Sequence, residues 1–171
     1  MKSQKLLKES WLNMSKVKLR QANIDDIDLL SKMYCDMYDT LVSYGMPYRL
    51  NEETIQDIIL IQLKARTTRF FVAETEKKLV GFVAVDVMRI DRKLDYDENN
   101  IMGHIKDIYV SYDARRANVA SQLLKEAEGW AMENGASIVE CNVIINNIPA
   151  QNFWSNNNYE VIGKIYCKKL D

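Results

Sequence analysis

Histidine is almost missing from this chain of 171 residues: His104 stands alone. That count excludes histidine-cluster metal sites and the two-histidine helical zinc motif, so no metal centre is expected. Cysteine is scarce too. Cys35, Cys141 and Cys167 are odd in number, widely spaced and without a CxxC. They read as thiols of a reducing, cytoplasmic compartment rather than a disulfide framework. A catalytic cysteine would want a histidine to hold it as thiolate, and only one is on offer. An excess of charge is also lacking: 23 Lys plus Arg oppose 24 Asp plus Glu, a formal net charge of −1. A surface that coats nucleic acid needs a basic excess, so no nucleic-acid partner is expected. No apolar run approaches the roughly 18–20 residues that cross a bilayer, and no membrane role is expected. Residues 1–13 (MKSQKLLKESWLN) lack a signal peptide's apolar stretch, because Lys5, Lys8 and Glu9 interrupt it. They read as an optional extension, with Met14 as an alternative start and residues 14–171 as a single domain.

What is there has an ordinary globular balance, 47% hydrophobic and 27% charged, enough to bury a sizeable core. Val17 to Arg20 alternates apolar and polar like a half-buried strand. Asn23 offers an N-cap, Asp25 and Asp26 suit the first helical turn, and apolar residues recur at helical spacing from Ile24 to Leu41. Gly45 and Pro47 break that helix. A second helix is predicted from about Asn51 to Leu63. Phe70–Thr75 and Leu79–Met88 read as a hairpin turning near Lys77. Another strand is predicted at Ile105–Val110, and a helix at Val119–Asn134 closed by Gly135. Ile138–Ile145 reads as a strand, and Ala150–Asn157 as a short helix with Pro149 at its start. Two short strands, Tyr159–Ile162 and Lys164–Lys168, end the chain. The order β-α-α-β-β-β-α-β-α-β-β predicts a mixed α/β (α+β) fold. Its central sheet is mixed but mostly antiparallel, of about six to seven strands, flanked by helices.

The chemistry concentrates where a strand, Ile108-Tyr109-Val110, stops and feeds a helix through Arg115-Arg116-Ala117-Asn118-Val119-Ala120-Ser121. A helix start leaves backbone N–H groups unpaired, and with the helix dipole these make an anion site. Two arginines beside it add charge-assisted donors. The local expectation is a phosphate or pyrophosphate cradle; the plain alternative is an exposed turn with solvated arginines.

The same segment resembles the acyl-CoA pyrophosphate loop of the GNAT N-acetyltransferase superfamily, whose pattern is Gln/Arg-x-x-Gly-x-Gly/Ala. Arg115 takes the first position, Asn118 the first glycine and Ala120 the second. Ile108-Tyr109-Val110 and Leu123-Leu124 are similar to the flanking strand and helix. Asn147, Ala150, Phe153, Trp154, Asn158 and Tyr159 match a second block, Asn-x-x-Ala-x-x-Phe-Tyr-x-x-x-Gly-Phe. VKLRQANIDDIDLL is similar to the family's first strand and helix. The resemblance implies acetyl-CoA bound by Ile108, Tyr109, Val110, Arg115, Arg116, Ala117, Asn118, Val119, Ala120, Ser121, Asn147 and Trp154. Within that set, the Val110 N–H would hold the thioester carbonyl and Asn147 the pantetheine or nearby backbone. Two departures stand out. Asn118 replaces glycine, and Asn is the non-glycine residue that best tolerates left-handed backbone. Trp154 replaces the tyrosine that protonates the leaving thiolate; indole cannot do so, which leaves water, Tyr109 or Tyr166, or a thiolate that departs without an acid. Trp154 itself reads as a core or cofactor-wall aromatic.

The general base is open between two residues. His104 stands where histone-type members carry a glutamate, and imidazole suits proton transfer near neutrality; Asp107 is its rival. Strict alternation puts His104, Lys106, Ile108 and Val110 on one face and Ile105, Asp107 and Tyr109 on the other. A β-bulge would change that parity. The acceptor is expected near Tyr38–Leu50 and Arg89–Met102, whose Asp91, Asp95, Asp97 and Glu98 could attract a cation. Together these features predict an N-acetyltransferase acting on the primary amine of a small molecule or peptide, with a homodimer possible. The rival readings are a non-catalytic acyl-CoA binder and an interaction module of the same fold.

Overall fold

The computed structural model describes residues 17–76, 78–94 and 100–170. The extension 1–13, the turn at Lys77 and the acids Asp95, Asp97 and Glu98 lie outside the described residues. Five strands form one sheet in chain order: β1 (Lys18–Gln21), β2 (Thr68–Glu74), β3 (Leu79–Arg89), β4 (Ile101–Val110) and β5 (Ile138–Cys141). Neighbours are antiparallel except β4 and β5, which run parallel. Helices α1 (Ile27–Ser43) and α2 (Ile55–Lys64) cover one face; α3 (Val119–Glu133) covers the other, with α4 (Ile148–Asn156) beside it. Strand alternation on β3 divides the core. Phe82 and Ala84 join Leu30, Tyr34, Ile59 and Phe70 on the α1/α2 side, whereas Val83 and Val85 join Leu123, Leu124, Ala127 and Trp154 on the α3/α4 side. Among the described residues no helix is long and apolar enough to cross a membrane.

Two expectations need correction. The sheet has five strands among the described residues, not six or seven: Tyr159–Ile162 and Lys164–Lys168 form no strand. Their alternating pattern is a local property, but a strand exists only when a second edge accepts its backbone hydrogen bonds, and none does so here. The strand expected over Ile138–Ile145 ends at Cys141, because β5 leaves β4 there. β4, by contrast, starts earlier than expected, at Ile101. His104 therefore lies well inside the strand, as the alternation expected from His104 to Val110 required. Gly103 permits this: a Cβ there would lie 2.9 Å from the Ala131 Cβ, so only glycine lets β4 approach α3 so closely.

One charged cluster fixes how the chain enters the fold. Asn23 caps the first turn, accepting from the Asp25 N–H, while Asp26 accepts from the Asn23 N–H. Asp26 is 5% exposed, and the Arg20 guanidinium grips both its oxygens at 2.7 and 2.8 Å. Arg20 Nε also donates to Glu74 at 2.7 Å, joining β1 and β2. The Arg20 hydrogen bond holds the Asp26 carboxyl below the usual carboxylate range.

That depression sets a pH sign. The pair's contribution is complete above the unfolded carboxylate pKa of about 4; it is lost as pH falls through the lower folded value. Arg20→Met strands a buried carboxylate and is expected to cost about 3 kcal/mol at pH 7 in denaturant unfolding. The gap to the parent should narrow near pH 3. An equal gap at both pH values would show that lost packing, not the charge pair, carries the effect.

Candidate functional site

The site is built on the last part of β4. The β4–β5 ladder runs only from Met102↔Ile138 to Ile105↔Cys141. Among the described residues, the β5-facing edge of β4 has no ladder partner from Lys106 to Val110, because β5 ends at Cys141. β3 stays paired to β4 throughout, but with a bulge: His104 faces Asp86, Ile105 faces Val85, and the next pair is Asp107 with Ala84. Lys106 is the extra residue. It resets the alternation, so His104, Asp107 and Tyr109 share the α1/α2 face with Asp86 and Phe82. Ile105, Ile108 and Val110 share the other face. The parity expected from strict alternation is overturned by this one residue.

The α1/α2 face is polar where the β4–β5 ladder ends. His104 Nδ1 stands 3.4 Å from Glu140 Oε1, its register partner on β5. Lys106 Nζ pairs with Asp86 Oδ2 at 3.1 Å, while Asp86 Oδ1 is buried without a hydrogen-bond partner. The Tyr34 hydroxyl of α1 donates to Asp107 Oδ2 at 2.9 Å. Burial pushes the Asp107 carboxyl up, against the opposing pull of the Tyr34 hydrogen bond and the nearby Lys106. Burial, then the Asp107 charge, raises the Tyr34 phenol well above its ordinary value. Two cysteines drop out as nucleophiles: burial pushes the Cys141 thiol up to about 11 and raises Cys35 as well, so neither is a thiolate at neutral pH.

On the other face, β4 ends at a cleft of about 380 Å³ lined by Val110, Ala114, Arg115, Arg116, Asn118, Val119, Ala120, Ser121 and Phe153. Asn118 is the N-cap of α3 in left-handed backbone, φ 59°, and its side chain makes no capping bond. Gln122 N–H is the first donor to close on Asn118. The N–H groups of Val119, Ala120 and Ser121 are therefore free of intrahelical partners, as at any helix start. Here they border a cleft, where their dipoles favour an anion. Arg116 is also left-handed, φ 68°. Two such non-glycine residues in one loop store roughly 1–2 kcal/mol each, and strain of this kind clusters at ligand sites. Arg115 does not simply hang in solvent: its Nε donates to the Val110 carbonyl at 3.1 Å and its guanidinium lies over the Tyr112 ring. It ties the loop to the end of β4.

The remaining expected residues fall nearby in other roles. Asn147 caps α4, accepting from the Ala150 N–H at 3.2 Å. Trp154 is buried in the core behind the cleft, edge-on to Phe153 and Tyr159, and it is Phe153 that reaches the cleft wall. Ala117 packs at the edge of the same core. Tyr109 lies on the α1/α2 side against Phe82, and Tyr166 is exposed and does not line the cleft. Sequence reasoning missed Tyr34, Asp86, Glu140 and Phe153 as parts of the site. Only Phe153 had a signal, its place in the second block.

A left-handed loop at a helix start, beside the end of a strand whose outer edge is unpaired, invites comparison with known proteins. The acetyltransferase (GNAT) family model matches residues 31–159. The chain belongs to this family. An uncharacterized N-acetyltransferase of Archaeoglobus fulgidus is 24% identical over 139 residues, 81% of this chain and 90% of the relative. Among solved structures, the aminoglycoside N-acetyltransferase AAC(6')-Iy in complex with CoA superposes with a TM-score of 0.74 at 15% identity, over 91% of this chain and 95% of that one. A predicted acetyltransferase from Clostridium acetobutylicum, solved with acetyl-CoA, gives 0.71 at 14% identity, over 90% and 96%. At these identities the structural likeness shows the fold.

The loop geometry makes a prediction. Asn118→Gly should leave the melting temperature near the parent's and keep the stabilisation by CoA, about 2.7 kcal/mol at 100 times its Kd. Asn118→Val puts a β-branched residue at positive φ and should lose about 1–2 kcal/mol along with most of the CoA-induced rise. Equal CoA response in both variants would mean that this residue's backbone does not shape the cradle.

Proposed function

We propose that the protein transfers an acetyl group from acetyl-CoA directly to a primary amine of a small molecule or peptide. The observation that carries this reading is the bulge at Lys106. It puts His104 and Asp107 on one face, at the closed end of the unpaired stretch of β4 whose other end, Val110, lines the cleft. The cleft fits the CoA pyrophosphate: its wall supplies the N–H groups of Val119, Ala120 and Ser121, and Arg116 adds positive charge. The unpaired edge of β4 offers main-chain donors for the pantetheine arm at Val110 and, nearer His104, for the thioester carbonyl at Ile108. Val110 itself stands roughly 17–20 Å along the strand from His104, out of a base's reach.

The amine would enter on the α1/α2 face. Asp86, Asp107 and Glu140 there favour a cation. Glu140 at Nδ1 of His104 favours the tautomer whose Nε2 accepts a proton, so His104 serves as general base and Asp107 positions the ammonium. The archaeal relative's name and the aminoglycoside substrate of AAC(6')-Iy support an amine acceptor. The acetyl carbon forms a bond to the amine nitrogen as its bond to sulfur breaks. His104 takes the proton that frees the amine from its ammonium form, and the second nitrogen proton passes through water to the leaving thiolate, giving free CoA thiol.

One observation favours a second reading, an acyl-CoA binder without turnover. Trp154 is in the core and Phe153 faces the cleft, so neither can protonate a thiolate.

The test is release of free CoA by purified protein offered acetyl-CoA and a broad amine panel. Turnover on at least one amine is expected. His104→Ala should lower kcat by about 10²–10⁴ while the CoA-induced melting shift stays intact, and Asp107→Asn should act mainly on KM. The reverse pattern would exchange the two roles. Binding with no turnover on any amine would leave the binder reading.

A further inference from the structure

Tyr34 is a buried polar group that the transfer step leaves unused. On α1 it stands one turn after Leu30, on the stripe that faces the sheet, and it is 4% exposed. Its ring lies 4.7 Å from that of Phe82, which is fully buried and also meets Phe70 and Tyr109. A ring packed among rings has little freedom, so packing sets where the hydroxyl sits. It sits 2.9 Å from Asp107 Oδ2, across 73 positions of the chain. Phenylalanine would serve the packing as well; what the hydroxyl adds is the bond to Asp107.

Asp107 stands among groups of both signs. Tyr34 and Tyr38 face it from α1, His104 and Lys106 from its own strand, and Asp86 from β3. Burial pushes its carboxyl up, and the Asp86 charge pushes the same way. The Tyr34 hydrogen bond is the foremost pull downwards, ahead of the Lys106 and His104 charges. Those two are also engaged elsewhere, Lys106 at 3.1 Å from Asp86 and His104 at 3.4 Å from Glu140. A neutral donor on a carboxylate favours the ionised form without adding a positive charge that would repel an arriving ammonium. It also occupies one oxygen and so fixes how the other is presented.

We propose, on the reading that Asp107 anchors the acceptor's ammonium, that Tyr34 is a positioning residue: it keeps Asp107 an oriented carboxylate and thereby sets the pH below which the site stops taking up amine. As pH falls, Asp107 takes a proton and the anchor becomes a neutral acid with no charge for the cation. Without the Tyr34 hydroxyl, burial and Asp86 meet less opposition, Asp107 protonates at higher pH, and the site closes earlier on the way down.

The test is the affinity of an amine that the parent turns over, measured by calorimetry on CoA-bound protein from about pH 5 to 9. It is done in the His104→Ala background, which removes the imidazole as a second titrating group. Tyr34→Phe should match that background at the alkaline end and fall behind as pH drops, to a gap of about tenfold, the scale of a hydrogen bond to a charged group. Asp107→Asn should bind weakly and without this pH dependence. A 3-fluorotyrosine installed at position 34 alone donates more strongly through the same ring and should move the fall to lower pH; it decides the matter where Tyr34→Phe does not fold. Each variant should keep the CoA-induced melting shift. A gap equal at every pH would leave Tyr34 a packing role only, and an affinity indifferent to both changes at position 34 would mean that its other neighbours hold Asp107. Either result overturns the proposal while the acetyltransferase reading stands. A parent that turns over no amine removes that reading, and the proposal with it.

Discussion

The candidate site depends on β4 being held firmly on one edge and released on the other. β3 pairs with it from Ile101 to Val110, while β5 leaves after Ile105↔Cys141. An unpaired strand edge inside a sheet is normally costly, because backbone N–H and C=O groups lose their partners. It persists here because the rest of β4 is over-determined: Ile105 and Val110 are buried against α3 and its surroundings, and Arg115 reaches back to bond the Val110 carbonyl. Burial and that bond hold the free edge in place and available. A ligand with its own amide groups can then complete the ladder at little reorganisation cost.

The bulge at Lys106 adds the second constraint. Without the extra residue, His104 and Asp107 would sit on opposite faces, one of them in the apolar α3 layer beside Val85 and Leu123. With it, both polar groups face α1, where Tyr34 and Asp86 meet them. The Lys106–Asp86 pair at 3.1 Å helps hold the bulged backbone, since the extra residue itself supplies the lysine. Local irregularity thus converts a strand that reads as ordinary into one with a chemically divided pair of faces.

The legible parts of the sequence were those set by local rules. Asn23 with Asp26 announced the first helical turn, Gly135 announced the end of α3, and Asn at position 118 announced left-handed backbone. All are near-neighbour chemistry, and the family blocks rest on the same segments. What was not legible depends on pairing. The bulge needs the β3 register. Tyr34 meets Asp107 across 73 positions, and Glu140 meets His104 only because β5 is parallel to β4. The last two expected strands show the converse error, in which local alternation was correct but, among the described residues, no sheet edge takes up their backbone hydrogen bonds.

Donor and acceptor therefore have separate approaches on the proposed reading. The cleft at the start of α3 lies on the apolar side of the sheet, and the His104 face lies on the α1/α2 side, with the open edge of β4 as the passage between them. A bound pantetheine arm would fill that passage and close the sheet against water on one side. The polar face would keep its access on the other side. An amine arriving there would meet its base in a site already drier than bulk, where the attraction of Asp107 and Glu140 for a cation is stronger. The order that follows is donor first, acceptor second, since the wall against which the amine is positioned is formed partly by the donor itself.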